Sequence, residues 1–239
     1  MVSNKFGELK EGDLIEGIDG PVNRQAILRY AETSGDRNPI HTTYEVAMAA
    51  GLKGVIQHGL FSMAWLIKTL TNWLGDEGKL KQINIQFRAM VRPNDMVYSK
   101  GKIIKKYKEN GEKLVDLELI QEAWSLLCRG TARASDKSID EETFQNLLSN
   151  AELGMEIKAK ITNGEVNLVE KEKLELNVEG LEIIPNSLSY WEAFTRGWNR
   201  KGEKIQVKLT EPPENGQAKF EIYKVSNSIK GSAIALLKK

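Results

Sequence analysis

Apolar positions are densest between Gly59 and Gly75. Apolar side chains cover nearly the whole circumference of this stretch in helical projection, which predicts a helix over residues 60–74 that other structure encloses. After this helix the apolar residues change from helical spacing to strict alternation with polar ones. This alternation predicts a half-buried strand over residues 83–89. One enclosed helix followed by strands indicates an α+β fold.

Three further strands are predicted after a turn at residues 93–95. One covers residues 96–107, and the Asn110-Gly111 pair predicts a hairpin into a strand around residues 115–119. A last strand is predicted over residues 122–134. Together these segments predict a curved antiparallel sheet wound about the central helix.

Two short helices are predicted before the apolar one. Residues 23–34 have helical spacing that Ser34-Gly35-Asp36 ends, and residues 44–50 follow a cap at Thr42-Thr43. The loops after these two helices contain both histidines of the chain. Any acid–base chemistry that uses imidazole must therefore take place in this block.

A domain boundary is predicted near residue 137, in a small polar linker. It divides the chain into residues 1–137 and residues 138–239. A capping box at residues 138–141 predicts a helix over residues 141–151. The second domain is expected to be a small α+β domain that resembles no family, and it could be a ligand-binding appendage or an oligomerisation module.

One more helix is predicted in the second domain, over residues 187–198. It presents an aromatic stripe, which we interpret as core packing rather than a ligand cage. The stripe consists of Tyr190, Phe194 and Trp198 at intervals of four residues, and Trp191 lies beside it.

Composition narrows the classes of function. The 34 basic and 33 acidic residues leave a net charge of +1, which gives no electrostatic reason to expect nucleic acid or an anionic membrane as partner. The single cysteine, Cys128, excludes an internal disulfide and fits a buried position in a strand. No signal peptide or membrane span is predicted, so we expect a cytoplasmic protein.

The usual motifs of cofactor chemistry are absent from the sequence. The sequence contains no glycine-rich dinucleotide fingerprint, no phosphate-binding loop, no serine elbow and no Cys/His zinc spacing. We therefore expect neither a metal nor a separate cofactor.

The best candidate for chemistry is the turn that carries Asp36 and His41. Asn38-Pro39 bends the chain between them, because the residue before a proline avoids helical geometry. A carboxylate and a neutral imidazole that face one volume can hold and deprotonate a water molecule. His41 lies near a predicted helix start, where the backbone dipoles disfavour imidazolium. The alternative is that Asp36 only caps the turn and His41 only packs against the helix.

The two histidine segments resemble a known signature. Residues Ser34–His41, read with Ala50–Leu60, are similar to the pattern of MaoC-like (R)-specific enoyl-CoA hydratases of the hot-dog fold. The resemblance covers about residues 7–135 and includes the strand and turn at residues 87–95. It implies a hot-dog domain at residues 1–137.

The resemblance implies roles for several residues. Asp36 and His41 would activate the water that adds to a trans-2-enoyl thioester, and the N–H of Gly54 would bind the thioester carbonyl. Asn38 would line the site, although it could equally be an Asx-turn residue before the proline. His58 would shape the pocket floor with Gly59, by a structural hydrogen bond rather than by direct catalysis.

Further contacts to the substrate are expected around the central helix. Ser62, one turn further along that helix, could reach back to His41 and fix its tautomer. An apolar tunnel for the acyl chain would be lined by Phe61, Trp65 and Phe87, although aromatic residues at this spacing are more often core. Candidates for the coenzyme A phosphates are Lys53, Arg88 and Arg92.

Three functions follow as hypotheses. The first is reversible (R)-specific hydration of trans-2-enoyl-CoA to (R)-3-hydroxyacyl-CoA, with coenzyme A present only as part of the substrate. The second is dehydration of a 3-hydroxyacyl group on acyl carrier protein, or of a short branched acyl-CoA. The third is a non-catalytic acyl-thioester binding protein. The resemblance also implies a homodimer.

Overall fold

The computed structural model describes residues 3–52, 54–76, 78–149, 152–154, 157–162, 165–171, 175–177, 181–188 and 204–237. The described chain forms two compact units, each made of separate segments. The first unit comprises residues 1–42, 56–124 and 226–239, and the second comprises residues 43–55 and 125–225.

The three helices up to and including the central one follow the predictions closely, whereas one strand and one 3₁₀ helix were not predicted. Strand β1 (Leu14–Asp19), helix α1 (Arg24–Ser34), a 3₁₀ helix (Pro39–His41), helix α2 (Tyr44–Ala49) and helix α3 (Gly59–Leu74) occur in that order. Asn23 caps α1 by accepting the N–H of Gln25 at 2.7 Å, and Gly35 ends it with φ +80°.

The strands that follow differ from the predictions in their bounds and in one junction. They are β2 (Lys79–Phe87), β3 (Met96–Glu109) and β4 (Glu112–Ala134). The predicted strands at residues 115–119 and 122–134 are one continuous strand, because no residue between them favours a turn. Asn110 and Gly111 form the predicted hairpin turn, with φ of +49° and +79°.

The remaining elements complete the described chain. They are α4 (Glu141–Ser149), β5 (Glu152–Gly154), β6 (Ile157–Thr162), β7 (Glu165–Lys171), β8 (Glu175–Asn177), β9 (Leu181–Leu188), β10 (Lys204–Leu209) and β11 (Gln217–Leu237). Among the described helices, none combines the length and the apolar character needed to cross a bilayer.

The first unit has the predicted architecture. Its antiparallel strands follow the order β1, β3, β4, β11 and β2, and α3 packs against β1, β2 and β3. Leu66 and Leu70 of α3 are fully buried in a core that the sheet supplies from several strands. The α+β hot-dog arrangement of one helix against an open antiparallel sheet is thus confirmed.

The division into units does not coincide with the predicted boundary near residue 137. The C-terminal part of β11 belongs to the first unit, where Ile229–Leu236 pairs with Phe87–Lys79 of β2. Ile229, Ala233, Ala235 and Leu237 are buried in the same core as α3. The sequence did not predict this pairing, because strand partners that are far apart in the chain leave no local signal.

The second unit has its own packing. Strand β9 pairs with residues 128–134 of β4, and β10 pairs with residues 220–225 of β11. Helix α4 packs on β10, and its Phe144 is fully buried. The cap of α4 is Asp140, which accepts the N–H of Thr143 at 2.7 Å, rather than the predicted Ser138.

Two other predictions concern the second unit. Ser187 and Leu188 end strand β9, so the predicted helix at residues 187–198 does not begin there. The rest of that helix, with its aromatic stripe, lies outside the described residues. Cys128 lies in a strand as predicted.

Replacing Leu70 with alanine should lower the free energy of unfolding by about 2–5 kcal/mol, because its side chain is fully buried and leaves a cavity in the core. Urea denaturation of both proteins measures this difference. The control is Leu60→Ala on the same helix, where the side chain is 58% exposed and the expected change is within about 0.5 kcal/mol. Equal losses in the two variants would contradict the assignment of α3 as the core helix.

Candidate active site

The predicted catalytic pair, Asp36 and His41, lies in the loop that follows α1. His41 is the last residue of the 3₁₀ helix, and Asn38 caps that helix by accepting the N–H of Ile40 at 3.3 Å. Asp36 lies two residues before this cap, and one of its carboxylate oxygens accepts the N–H of Asn38 at 3.3 Å. The local turn therefore places a carboxylate and an imidazole at its two ends.

Asp36, His41 and His58 form one cluster. A carboxylate oxygen of Asp36 and one ring nitrogen of each histidine lie within 4.8 Å of one another. Asp36 is exposed, whereas only 7% of His41 and 2% of His58 are accessible. The cluster is therefore closed on the histidine side and open on the side of the carboxylate.

The tautomer of His41 follows from its hydrogen bond. Nδ1 lies 2.8 Å from the carbonyl oxygen of Ile56, and a carbonyl only accepts, so Nδ1 carries the proton. Nε2 then has a free lone pair and can act as a base. The Ile56 carbonyl, rather than the predicted Ser62, thus fixes the tautomer, and the hydroxyl of Ser62 accepts the side-chain N–H of Gln57 at 3.0 Å.

Burial lowers the pKa of His41 below its ordinary value of 6.5, and the neighbouring His58 adds to this effect. The hydrogen bond to Ile56 and the Asp36 carboxylate act in the opposite direction. His41 is thus neutral at pH 7, as predicted. The main cause is desolvation, not the helix start that the sequence suggested.

We expect the pH profile of kcat/KM to reflect this pKa. A base is active when unprotonated, so activity should rise with pH and reach its plateau by about pH 7. The half-maximal point on the acid side should lie below pH 6.5, the ordinary value for histidine. Initial rates between pH 4.5 and 8 measure it, and a midpoint above 6.5 would contradict a desolvated neutral base.

His58 makes the structural hydrogen bond that was predicted for it. Its Nε2 lies 3.0 Å from the backbone carbonyl of Asp36, so Nε2 is the protonated nitrogen. Its Nδ1 is buried and has no partner within the described part of the chain. The two imidazoles therefore adopt opposite tautomers, each anchored to a backbone carbonyl.

An aromatic row extends from the two histidines. The ring of His41 stacks on His58 with centroids 3.8 Å apart, and His58 contacts Tyr30 at 4.9 Å. Tyr30 stacks on Phe61 at 4.8 Å, and Phe61 contacts Trp65 at 5.1 Å. Phe61 and Trp65 are half-buried in this row, and Trp65 also packs on a core cluster.

Gly59 and Phe87 meet at the start of α3. A methyl group on Gly59 would lie 3.2–3.3 Å from the ring of Phe87, so the ring rests on the helix start. Phe87 is 51% exposed. Within the described residues, the N–H groups of Gly59 and Leu60 have no hydrogen-bond partner. The helix thus presents two free amide donors beside His58.

The other candidate residues are less clearly placed in a site. Gly54 is buried with φ +122° and belongs to the second unit, and its role as an amide donor stays a prediction. Asn38 is exposed and forms the Asx-type cap that was the alternative for it. Lys53 lies outside the described residues. Arg88 is exposed and its side chain donates to Gln86, whereas Arg92 is buried.

The sequence did not reveal a buried polar network below the site. Gln121 donates to the carbonyl of Ser62 at 2.9 Å and to the hydroxyl of Ser99 at 3.0 Å. Ser228 donates to the side-chain oxygen of Gln121 at 3.1 Å. The network ties the first turn of α3 to β3, β4 and β11. One signal was available, since Gln121 continues the buried alternation of Leu117 and Leu119.

Chemically, the cluster suits a held water better than a metal ion. The two imidazole planes are only 26° apart, so their in-plane lone pairs point side by side rather than at one centre. The expected absence of a metal stays a prediction.

A comparison with known families bears on this geometry. Residues 10–123 match the family model of the MaoC like domain. This segment is a MaoC-like domain. It contains Asp36, His41, His58 and the whole of α3, so the cluster lies inside the matched region.

Curated relatives align with only part of the chain. The β subunit of fatty acid synthase from Saccharomyces cerevisiae is 36% identical over 105 residues, which is 43% of this chain and 5% of that protein. The 3-hydroxybutyryl-CoA dehydratase of Methylorubrum extorquens is 30% identical over 99 residues, which is 41% of this chain and 62% of that protein. The MaoC-like domain thus spans a small part of the synthase subunit and less than two thirds of the dehydratase.

A solved structure is also similar to the MaoC-like domain. R-hydratase PhaJ1 from Pseudomonas aeruginosa is 22% identical with a TM-score of 0.46, over 51% of this chain and 76% of that one.

Proposed function

We propose that the MaoC-like domain is a hydro-lyase that adds water to a trans-2-enoyl-CoA and gives the (R)-3-hydroxyacyl-CoA, and that catalyses the reverse dehydration. The observation that carries the proposal is the state of His41: a neutral ring whose Nδ1–H is held by Ile56, which leaves Nε2 free on a ring that shares one cluster with the Asp36 carboxylate. The similarity to a 3-hydroxybutyryl-CoA dehydratase supports the same chemistry.

The proposed reaction starts from a water molecule between Asp36 and His41. The carboxylate accepts one O–H and orients the water, and Nε2 of His41 takes the other proton as the oxygen bonds to C3. The C2=C3 π electrons move towards the thioester carbonyl, which becomes an enolate. The imidazolium then returns its proton to C2, so no proton or electron is left over. The nearby carboxylate stabilises the imidazolium while it exists.

The developing enolate oxygen needs a hydrogen-bond donor. The free N–H groups at the start of α3 offer one, because Gly59 follows His58 directly and the helix N-terminus favours negative charge. We assign the donor to Gly59 in this proposal. The predicted donor, Gly54, stays an untested alternative.

The test uses purified full-length protein and trans-2-enoyl-CoA substrates of increasing chain length. Loss of enoyl absorbance measures hydration, and stereospecific 3-hydroxyacyl-CoA dehydrogenases identify the product. We expect turnover with the (R) product only. An (S) product would contradict the stereochemistry, and tight binding without turnover at any chain length would instead select the non-catalytic acyl-thioester binder.

A second candidate is dehydration of an acyl group on a carrier protein. The similarity to the fatty acid synthase β subunit favours it. Both reactions would use Asp36 and His41, so only the substrate distinguishes them. The same assay with matched CoA and carrier-protein thioesters, and with short branched acyl-CoA substrates, decides by the ratio of kcat/KM values.

A further inference from the structure

The segment Ile56–His58 contacts both groups of the proposed catalytic pair. The carbonyl of Ile56 accepts the Nδ1–H of His41 at 2.8 Å, and the ring of His58 donates to the carbonyl of Asp36 at 3.0 Å. The segment is itself fixed, because the N–H of Gln57 donates to the carbonyl of Val91 at 2.8 Å. A single short segment thus sets the position of carboxylate and base together.

The Asp36 loop depends strongly on this contact. Its other hydrogen bonds are local: the N–H of Asp36 donates to Ser34 at 3.2 Å, and the side chain of Asp36 accepts from Asn38 at 3.3 Å. The bond from His58 spans 22 residues and, in the part of the chain that the structure describes, is the one that joins residues 35–37 to a distant segment. Because Asp36 is exposed, little packing replaces that bond.

The ring of His58 has a second contact with the pair. Its face stacks on His41 with centroids 3.8 Å apart and planes 26° apart, which restricts rotation of the base. Tyr30 contacts the same ring at 4.9 Å, and only 2% of His58 is exposed. His58 therefore has little freedom to move without disturbing its neighbours.

We propose that His58 is a positioning residue, whose Nε2–H holds the Asp36 loop and whose ring holds the plane of His41 for the attack of water on the enoyl thioester. The kinetic part of this inference rests on the proposed hydration. The structural part does not, because the tautomer and the hydrogen bond exist in the protein without substrate.

The first test reads the tautomers directly. The chain has only two histidines, so histidine labelled with heavy nitrogen gives two ring spin systems in an NMR spectrum of the full chain. We expect one ring protonated at Nδ1 and the other at Nε2, and the Nε2–H ring should disappear in His58→Phe. Two rings of the same tautomer would overturn the proposal, whether or not the protein hydrates enoyl-CoA.

The second test separates the hydrogen bond from the ring. His58→Phe keeps an aromatic face for His41 but removes the donor, whereas His58→Gln keeps an N–H donor at a similar reach. We expect His58→Phe to lower kcat by about 10- to 100-fold with little change in KM, since small misplacement of catalytic groups costs this much. His58→Gln should recover at least about threefold of the lost kcat.

The matched control is Trp73→Phe in α3, the helix that begins directly after His58. It also removes a buried ring N–H that donates to a backbone carbonyl, here that of Ser3 at 3.1 Å, but it lies far along α3 from the cluster. Its kcat should equal that of the unmodified protein. The proposal is overturned if folded His58→Phe keeps full kcat, or if its loss appears only in KM. Inactivity of the unmodified protein on every thioester would instead refute the proposed function and leave the tautomer test to judge His58.

Discussion

Replacing His41 with alanine is expected to lower kcat by about 10²- to 10⁴-fold, the usual contribution of a positioned general base. The ring is buried, neutral and anchored at Nδ1, so Nε2 is the basic nitrogen that can take the proton of the water. Substrate binding does not depend on proton transfer, and KM should change much less. Steady-state rates of enoyl-CoA hydration measure both constants.

The folded state of His41→Ala must be checked beside its activity. The variant leaves the Ile56 carbonyl without its donor, which costs about 1–3 kcal/mol. Circular dichroism and thermal unfolding should therefore show a folded but less stable protein. Free imidazole can enter the vacated space and should restore part of the activity. A folded variant that keeps most of its kcat would remove His41 from the mechanism.

The sequence predicted the site loop well because its signals are local. Asn23 and Gly35 are the residues that begin and end a helix, and Asn38-Pro39 specifies the bend before His41. Each of these residues acts on its own few neighbours, so no distant contact is needed. The same reasoning explains why the hairpin at Asn110-Gly111 was predicted correctly.

Long-range partners could not be predicted in this way. The hydrogen-bond partner of His41 is the backbone carbonyl of Ile56. Every residue has such a carbonyl, so the amino-acid sequence does not show which one a side chain will meet. The stack of His41 on His58 depends on how two loops meet, 17 positions apart in the printed sequence. Likewise, β11 pairs with β2, which lies more than 140 positions earlier in the sequence. This pairing is the reason why the division into units differs from the predicted boundary near residue 137.

Tyr30 shows a third kind of limit. It lies three residues after Ile27 on the same face of α1, a spacing that equally predicts simple core packing. Only the structure shows that its ring contacts His58 and stacks on Phe61. A periodic pattern identifies the inward face of a helix, but it does not tell which residue of that face meets a residue of the site.

Replacing Asp36 with asparagine is expected to lower kcat by about 10²- to 10³-fold while the loop keeps its geometry. The backbone carbonyl that accepts from His58 is unchanged, and the side-chain oxygen of asparagine can still accept the N–H of Asn38. Only the negative charge is lost. A loss of kcat would then measure the electrostatic role of the carboxylate rather than a collapse of the turn.

The pH profile of Asp36→Asn gives an independent readout. The carboxylate raises the pKa of His41 against the larger effect of burial, so its removal should lower that pKa further. The acid limb of kcat/KM should therefore move to lower pH than in the unmodified protein, even as the plateau falls. The control is Asp13→Asn, a half-buried aspartate that also accepts a backbone N–H, from Lys10 at 2.8 Å, and it should change neither the plateau nor the limb. A limb that stays in place would mean that Asp36 and His41 do not interact in the working enzyme. The shared water would then lose its support, because the two groups must face the same small volume for both effects to occur.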